Sequence, residues 1–477
     1  MKKIYLALAL CSLAVSALCQ TSVEVIEQNV HGKTVSTLIK EYDYPKTITC
    51  VNTSEETATF ILSDQTMQTV EVTVDNIYVC DMDISFDTVF FCGRTWDNPY
   101  AAIIGFLDVN EAFYGSGNVY IHTGIYAGTN SLPVEELTRL VTYRGSDLKR
   151  HIVCIGRTLG KLKYPCIVDM TPDDIMGYTT CGYQAGYIND VDETFSDIEV
   201  VPGNINTYLV TSGFVDFQGQ YLNIRAYAAD NIFIPSGPQD MRHIFCIDTV
   251  FATTWFGEDA LLTYIEPNVF ATVSYLSYSD PFLPNGDNRV LGGRLHVASY
   301  DLSLLLGGSL YSMTGNVRTT TVSLTDPRLK RFIYRPRSKT LAFLESAQSM
   351  SMFTELEYYP VGAFSPMRTY FNNNKDLSDM SLYNIGSFYT NYVMSGHFYD
   401  QPGRLVYKME TFQQPAYCSD PVEYLTQAPN PLASVNKVEA FSSLYNIAWF
   451  QAYETDRVEV PIVETCEDGS KADGGSE

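Results

Sequence analysis

The sequence predicts an all-β fold: a β-propeller of six to eight blades, seven preferred, built from short antiparallel repeat units. Three observations predict it. Tyr and Phe number 34 and 25, both strand-favouring types, while charged residues make up only 18%, too few for long solvated helices. Short pieces of text recur along the chain. Many of the recurring segments, such as Thr88 to Cys92, are apolar throughout rather than alternating, which is how strands buried on both faces read.

The N-terminus reads as an export signal. Lys2 and Lys3 precede an apolar run from Ile4 to Leu18, followed by small residues. The run is about 15 residues, short of the roughly 20 a membrane span needs. Cleavage after Ala17 or after Cys19 fits the small-x-small rule; the second is preferred, making residues 1–19 the signal peptide and Gln20 the mature start. Cys19 also raises a lipid anchor as an alternative, although Leu18 is large for the position before a lipobox cysteine. No other apolar stretch is long enough to cross a bilayer, so no membrane insertion is expected.

Residues 20–74 are expected to supply strands that close or cap the ring, with Thr47 to Val51, Thr57 to Leu62 and Val70 to Val74 as candidates. The repeat domain is expected over 75–465. Its clearest pair is Phe91-Cys92-Gly93-Arg94-Thr95 against Val153-Cys154-Ile155-Gly156-Arg157-Thr158. Each is followed by a polar turn and a second apolar run, Ile103 to Asp108 in one and Pro165 to Asp169 in the other. Looser copies follow around Tyr208 to Gly213, His243 to Tyr264 and Leu295 to Leu324, then over Thr340 to Tyr359, Ser381 to Met409 and Val438 to Val463. Units of three or four short strands, roughly 45–65 residues apart, lie near the kelch end of the known blade periods. Such strands bury their faces only if their sheets stack, and radial stacking leaves only short, protected edges. An array of β-sandwiches is the rival architecture. The tail, 466–477, is acidic and Gly/Ser-rich and reads as disordered.

Asp87-Thr88-Val89-Phe90-Phe91-Cys92-Gly93, followed by Ile104-Gly105-Phe106-Leu107-Asp108, resembles uncharacterised secreted propeller-like proteins of the Bacteroidetes. The resemblance covers one unit well and a second in part. It implies a fold and an exported location, periplasmic, extracellular or at the cell surface, and no activity. It also implies O-glycosylation at Asp-(Ser/Thr)-apolar triplets, here Thr88 and Thr249, each expected at a turn-to-strand junction.

Acids outnumber bases 55 to 31, a net charge of −24. That argues against nucleic-acid partners and anionic membranes, both of which require basic patches. Nine cysteines follow position 19, an odd number, with no CxxC pair. Cys154 and Cys166 are equidistant from Gly160, so a hairpin centred there sets them face to face; Cys80 and Cys92 are equidistant from Phe86. Both pairs are expected as disulfides, the second more weakly.

Candidate chemistry is sparse. The histidines, His31, His122, His151, His243, His296 and His397, show no HExxH or HxH spacing, and His151 and His243 begin what read as equivalent strands. No GxSxG elbow, P-loop or GxGxxG occurs. No cofactor is expected, with calcium as the exception to test in two acidic loops: Asp190, Asp192, Glu193 and Asp197, and Asp280, Asn285, Asp287 and Asn288. Trp96, Trp255 and Trp449 each end a strand and are expected to pack between blades, with a sugar-stacking platform as the alternative. These readings favour a binding or scaffold protein with a protein or glycan partner and no intrinsic catalysis. The alternative is a carbohydrate-active lyase or glycosidase whose acids and aromatics converge at one end of the framework.

Overall fold

The computed structural model describes residues 21–27, 32–40, 46–53, 56–64, 69–85, 87–115, 117–178, 183–216, 220–233, 241, 245–253, 260–276, 294–306, 312–319, 328–336, 339–347, 350–358, 365–373, 375–385, 389–398, 405–411, 422–427, 437–442, 448–453 and 458–459, with side-chain environments mainly between 48 and 358. It is almost entirely antiparallel strand. After β1 (Thr21–Glu27) the first sheet comprises β2 (Gly32–Lys40), β3 (Lys46–Thr53), β4 (Thr57–Asp64) and β5 (Thr69–Asp75). The second holds β6 (Ile77–Ser85), β7 (Thr88–Thr95), β8 (Ala102–Asp108) and β9 (Val119–Thr123). The third holds β10 (Tyr126–Ala127), β11 (Leu132–Arg144), β12 (Arg150–Thr158), β13 (Pro165–Met170) and β14 (Gln184–Tyr187). The fourth is β15 (Glu193–Pro202), β16 (Thr207–Asp216), β17 (Gln220–Ala228) and β18 (Phe245–Thr253). The fifth is β19 (Ala260–Glu266), β20 (Val269–Leu276), β21 (Arg294–Asp301) and β22 (Ser312–Thr319); the sixth is β23 (Arg328–Arg335), β24 (Thr340–Ala347), β25 (Met350–Glu357) and β26 (Ser365–Asn373).

Later strands are β27 (Lys375–Ile385), β28 (Tyr389–Phe398), β29 (Leu405–Thr411), β30 (Val422–Gln427), the hairpin of β31 (Lys437–Ser442) and β32 (Ala448–Tyr453), and β33 (Val458–Glu459). The chain forms two compact units, one of residues 1–51, 61–71 and 377–477, the other of 52–60 and 72–376. In the first, β1 lies between β29, antiparallel, and β30, parallel. Among the described residues no helix is long and apolar enough to cross a membrane.

The larger unit shows why the sequence reads as it does. Its five consecutive meanders bring their first strands, β6, β11, β15, β19 and β23, against one another in succession. Each sheet buries both faces. On the third sheet Ile152, Cys154, Cys166 and Val168 pack towards the second sheet, while Val153, Ile155 and Ile167 pack towards the fourth. Alternate residues therefore enter different cores, so the strand text is apolar without alternation. Val210, Leu222 and Ile224 continue the pattern against Leu262 and Phe270, and Val273 and Val297 against Phe343 and Leu356. Sequential meanders stacked face to face with their first strands together are the blades of a β-propeller.

The repeated Gly-Arg-Thr text has a physical cause. The first strand of the second, third and fourth sheets carries a β-bulge, between Val79 and Asp81, twice between Val134 and Arg139, and between Phe195 and Asp197. Each bulge pushes a carbonyl towards the second strand. A Cβ at Gly93, Gly156 or Gly213 would strike the carbonyl oxygen of Tyr78, Glu136 or Thr194. The arginines that follow neutralise one acid: Arg94 Nε and Arg157 Nη2 both lie 3.0 Å from Glu136. The threonines close the next loop: Thr95 Oγ1 accepts the Ala101 N–H, and Thr158 Oγ1 the Tyr164 N–H, both at 3.0 Å.

Unit boundaries differ from the sequence reading at one place. His243 to Cys246 was expected to open a new unit, but β18 is the last strand of the fourth sheet, paired with β17. His151 lies in the second strand of its sheet, and His243 lies outside the described residues. Thr249 lies mid-strand opposite Leu222 rather than at a turn-to-strand junction, whereas Thr88 does begin its strand and is half-buried.

The close carbonyl is backbone and has nowhere to move. Gly156→Ala is expected to cost about 3 kcal/mol or more, in the range of severe overpacking, and to lower the urea midpoint accordingly. A midpoint unchanged from wild type would show that the bulge carbonyl does not approach this position.

Candidate functional site

Among the described residues a cleft of about 440 Å³ opens at one end of the third and fourth sheets. It is built from turns. β11 ends at Arg144 and returns through residues 145–149 into β12. In that turn Asp147 Oδ1 accepts the Lys149 N–H at 2.9 Å, which holds the Asp147 carboxyl below its usual range. Leu148 sits at φ 66, completing the turn with an N–H to the Gly145 carbonyl. On the other wall β13 runs into the short helix Pro172–Ile175. Thr171 caps it with a reciprocal box, its N–H and hydroxyl both donating to Asp174 Oδ2 at 2.8 and 2.7 Å. The 3₁₀ turn Ala229–Asn231 supplies the far side, tied down by Tyr143 Oη donating to Ala229 O at 3.0 Å and Ser146 N–H donating to Asp230 Oδ1 at 3.2 Å.

His151 stands at the centre of this frame. Its Nδ1 lies 2.9 and 3.1 Å from the two Asp169 oxygens, and its Nε2 lies 3.2 Å from Asp147 Oδ1. Its ring stacks on Tyr143 with centroids 5.0 Å apart. The hydrogen bond to Asp169 raises its pKa to about 9, against the opposing effect of burial. At neutral pH it is an imidazolium donating from both nitrogens. Tyr183 and Gln184 complete the wall, and Tyr183 Oη accepts the Tyr126 N–H at 2.7 Å.

A second group lines the first strands. Asp83 accepts from the Thr142 N–H and hydroxyl, both at 2.9 Å, and Asp197 from the Leu262 N–H at 2.8 Å. Arg139 lies 4.0 Å from Asp81 and 3.9 Å from Asp197. Burial, and then the Asp197 charge, raises the Glu199 pKa to about 8. Glu199 Oε1 also accepts the Val200 N–H at 3.0 Å, and burial raises the Asp197 pKa as well.

The expected disulfides are not formed; all four thiols are free. The third-sheet hairpin is centred on Lys161, not Gly160, because Thr158 N–H bonds Tyr164 O across the loop. Cys154 therefore faces Val168, and Cys166 faces Gly156. In the second sheet a tight turn pairs Ser85 with Thr88, so Cys92 faces Asp81 and Cys80 is the bulged residue.

The acidic loop after β14 does not converge. Asp190 caps Asp192 N–H at 3.0 Å, Glu193 turns inward to Arg225 at 2.7 Å, and Asp197 serves Leu262. Among the described residues no group of three or more His, Cys, Asp or Glu gathers as a metal site. The loop with Asp280, Asn285, Asp287 and Asn288 lies outside the described residues, as do His31, His243 and Trp255; the side chains of His296, His397, Trp449 and Thr249 are likewise undescribed. His122 packs edge-on to Tyr183 at 5.5 Å, and burial lowers its pKa. Trp96 packs against the first strand of its own sheet, donating from Nε1 to Ile77 O at 3.1 Å and meeting Tyr78 edge-on.

No protein-family model matches the sequence, and a search of curated proteins finds no match. Among solved structures, the WD40 domain of Toxoplasma gondii coronin aligns over 87% of this chain and 91% of its own, at 8% identity and TM-score 0.47. The GH93 α-L-arabinofuranosidase of Fusarium graminearum aligns over 82% and 97%, at 10% identity and TM-score 0.40. Trypanosoma rangeli sialidase aligns over 82% and 57%, at 8% identity and TM-score 0.37. Similarity at this level carries nothing about activity.

The His151 ion pair sets a pH dependence. Its folded pKa lies above the unfolded value of about 6.5, so its contribution is complete below pH 6.5 and is lost as pH rises through about 9. The contribution is on the order of 2–3 kcal/mol. The stability difference between wild type and His151→Asn, measured by urea unfolding, should shrink from pH 6 to pH 10. A difference independent of pH would contradict the ion pair.

Proposed function

We propose that the chain is a rigid binding protein that takes a hydroxyl-rich ligand of the saccharide class in the cleft around His151. One observation carries the reading: every acid of the cleft is already fixed by the fold. Asp147 holds the Lys149 N–H and His151, Asp169 holds His151, Asp174 holds the Thr171 cap, and Asp230 holds the Ser146 N–H. Their remaining lone pairs point from pinned carboxylates, which suits hydroxyl donors and lowers the ordering cost of binding. Four acids against Lys149 and imidazolium His151 disfavour anionic ligands. The Tyr183 ring supplies an apolar wall for a sugar face. A binding role at the cell envelope follows from this reading together with the signal-like N-terminus.

A second reading rests on Glu199, whose raised pKa beside Asp197 suits a general acid and would make the chain a glycoside-cleaving enzyme working from the first strands. A glycan and polysaccharide screen that reads binding and product release together separates the two. The binding reading expects retention without cleavage, with Gln184→Ala and Asn231→Ala, both exposed at the cleft, each weakening affinity about tenfold at unchanged Tm. No retained glycan, or turnover abolished by Glu199→Gln, would overturn it.

A further inference from the structure

The aromatic wall continues past the cleft. Tyr183 precedes β14, walls the cleft beside Gln184, and is seated on the core shared by the second and third sheets. Two further contacts fix it. The His122 ring, on β9, meets it edge-on with centroids 5.5 Å apart, and its hydroxyl accepts the N–H of Tyr126, on β10, at 2.7 Å. Tyr126 lies between Ile125 and Ala127, which are 1% and 0% exposed and belong to that same core. Strand alternation therefore sends the Tyr126 side chain outwards, where the residue is 51% exposed. One exposed ring alone is ordinary on a protein surface. This one stands on backbone held by the very side chain that walls the cleft. The result is an aromatic strip that leads from the polar cleft over Tyr183 to Tyr126, with His122 alongside.

We propose that the chain binds a linear oligosaccharide rather than an isolated sugar, one unit in the cleft and the following units along Tyr183 and Tyr126. The proposal rests on the saccharide reading of the cleft and adds a length and a direction to it. The two parts suit different faces of one ligand. Pinned carboxylates in the cleft take hydroxyl donors, whereas the strip offers rings to the C–H face of a sugar and leaves its edge hydroxyls in water. Tyr183 is ordered by its own contacts before any ligand arrives, so stacking on it costs little side-chain entropy. Tyr126 lies outside the cleft lining and adds contact only to a ligand long enough to reach it.

The test is calorimetric titration of the full chain with matched gluco-, manno-, xylo- and galacto-oligosaccharides of two and six units. In a series that binds, the six-unit sugar is expected to bind about tenfold or more tightly than the two-unit sugar, beyond what its extra registers give. Tyr126→Ala should weaken the longer sugar about fivefold and leave the shorter within about twofold, at unchanged Tm. Tyr126→Phe keeps the ring and should bind both as wild type does. Equal affinity for the two lengths, or a Tyr126→Ala loss that is absent or the same for both, overturns the proposal and leaves the saccharide reading of the cleft standing. Binding of neither length in any series overturns that reading and this proposal with it. Should the alanine variant fail to fold, the wild-type length dependence decides.

Discussion

The structure depends on how the first strand of each sheet disposes of its open edge. That strand is hydrogen-bonded along most of its length on one side only, and its other edge lies among neighbouring first strands rather than in bulk water. A buried N–H without a partner costs on the order of 1–3 kcal/mol. The chain meets this with short polar side chains reaching from one sheet to the next. Asn52 bonds both Val79 N–H and Val79 O, at 2.9 and 2.8 Å. Asp81 and Asp83 take the Leu140 and Thr142 N–H groups, Asp197 takes that of Leu262, and Thr263 Oγ1 takes that of Tyr334 at 3.0 Å. The first, second, fourth and fifth sheets thus each satisfy part of the edge of the sheet that follows.

Much else follows from that stitching. Setting these side chains at the right height requires the first strands to be bulged, and the bulged carbonyls require Gly93, Gly156 and Gly213 opposite them. Concentrating acids along one edge requires compensation, which Arg139 supplies between Asp81 and Asp197 while Arg94 and Arg157 converge on Glu136. The sheets are then free to bury both faces, leaving chemistry to the turns at their ends. The cleft around His151 is such a place: its shape comes from a capped turn, a capping box and a 3₁₀ turn, each closed by its own hydrogen bonds, so its polar groups are fixed before any ligand arrives.

The repeat and the fold class were legible because Cys-Gly-Arg-Thr and Cys-Ile-Gly-Arg-Thr encode a local necessity, a glycine beneath a bulge and a threonine closing a loop. The register was not legible. Whether a hairpin centres on Gly160 or Lys161 depends on the Thr158 to Tyr164 closure, and a shift of one residue at the centre moves a cysteine two places from its partner. The bulge at Cys80 is set by its partner strand, not by its own neighbours. The cleft was legible only in fragments. His151 stood out as a strand opener, but Asp147 and Asp169 reach it across two different turns, and Asp230 comes from a segment 84 residues beyond Ser146. Spacing in one sequence cannot show such convergence.

The most direct test of this account is amide hydrogen–deuterium exchange on the first strands in the intact chain. If side chains close the open edges, the Leu140, Thr142, Leu262 and Tyr334 amides exchange as slowly as those of central strands such as β7 and β12, and Asp83→Ala releases Thr142 while leaving Leu262 protected. Fast exchange of all four in the wild-type chain, at rates typical of a solvated edge strand, would contradict it.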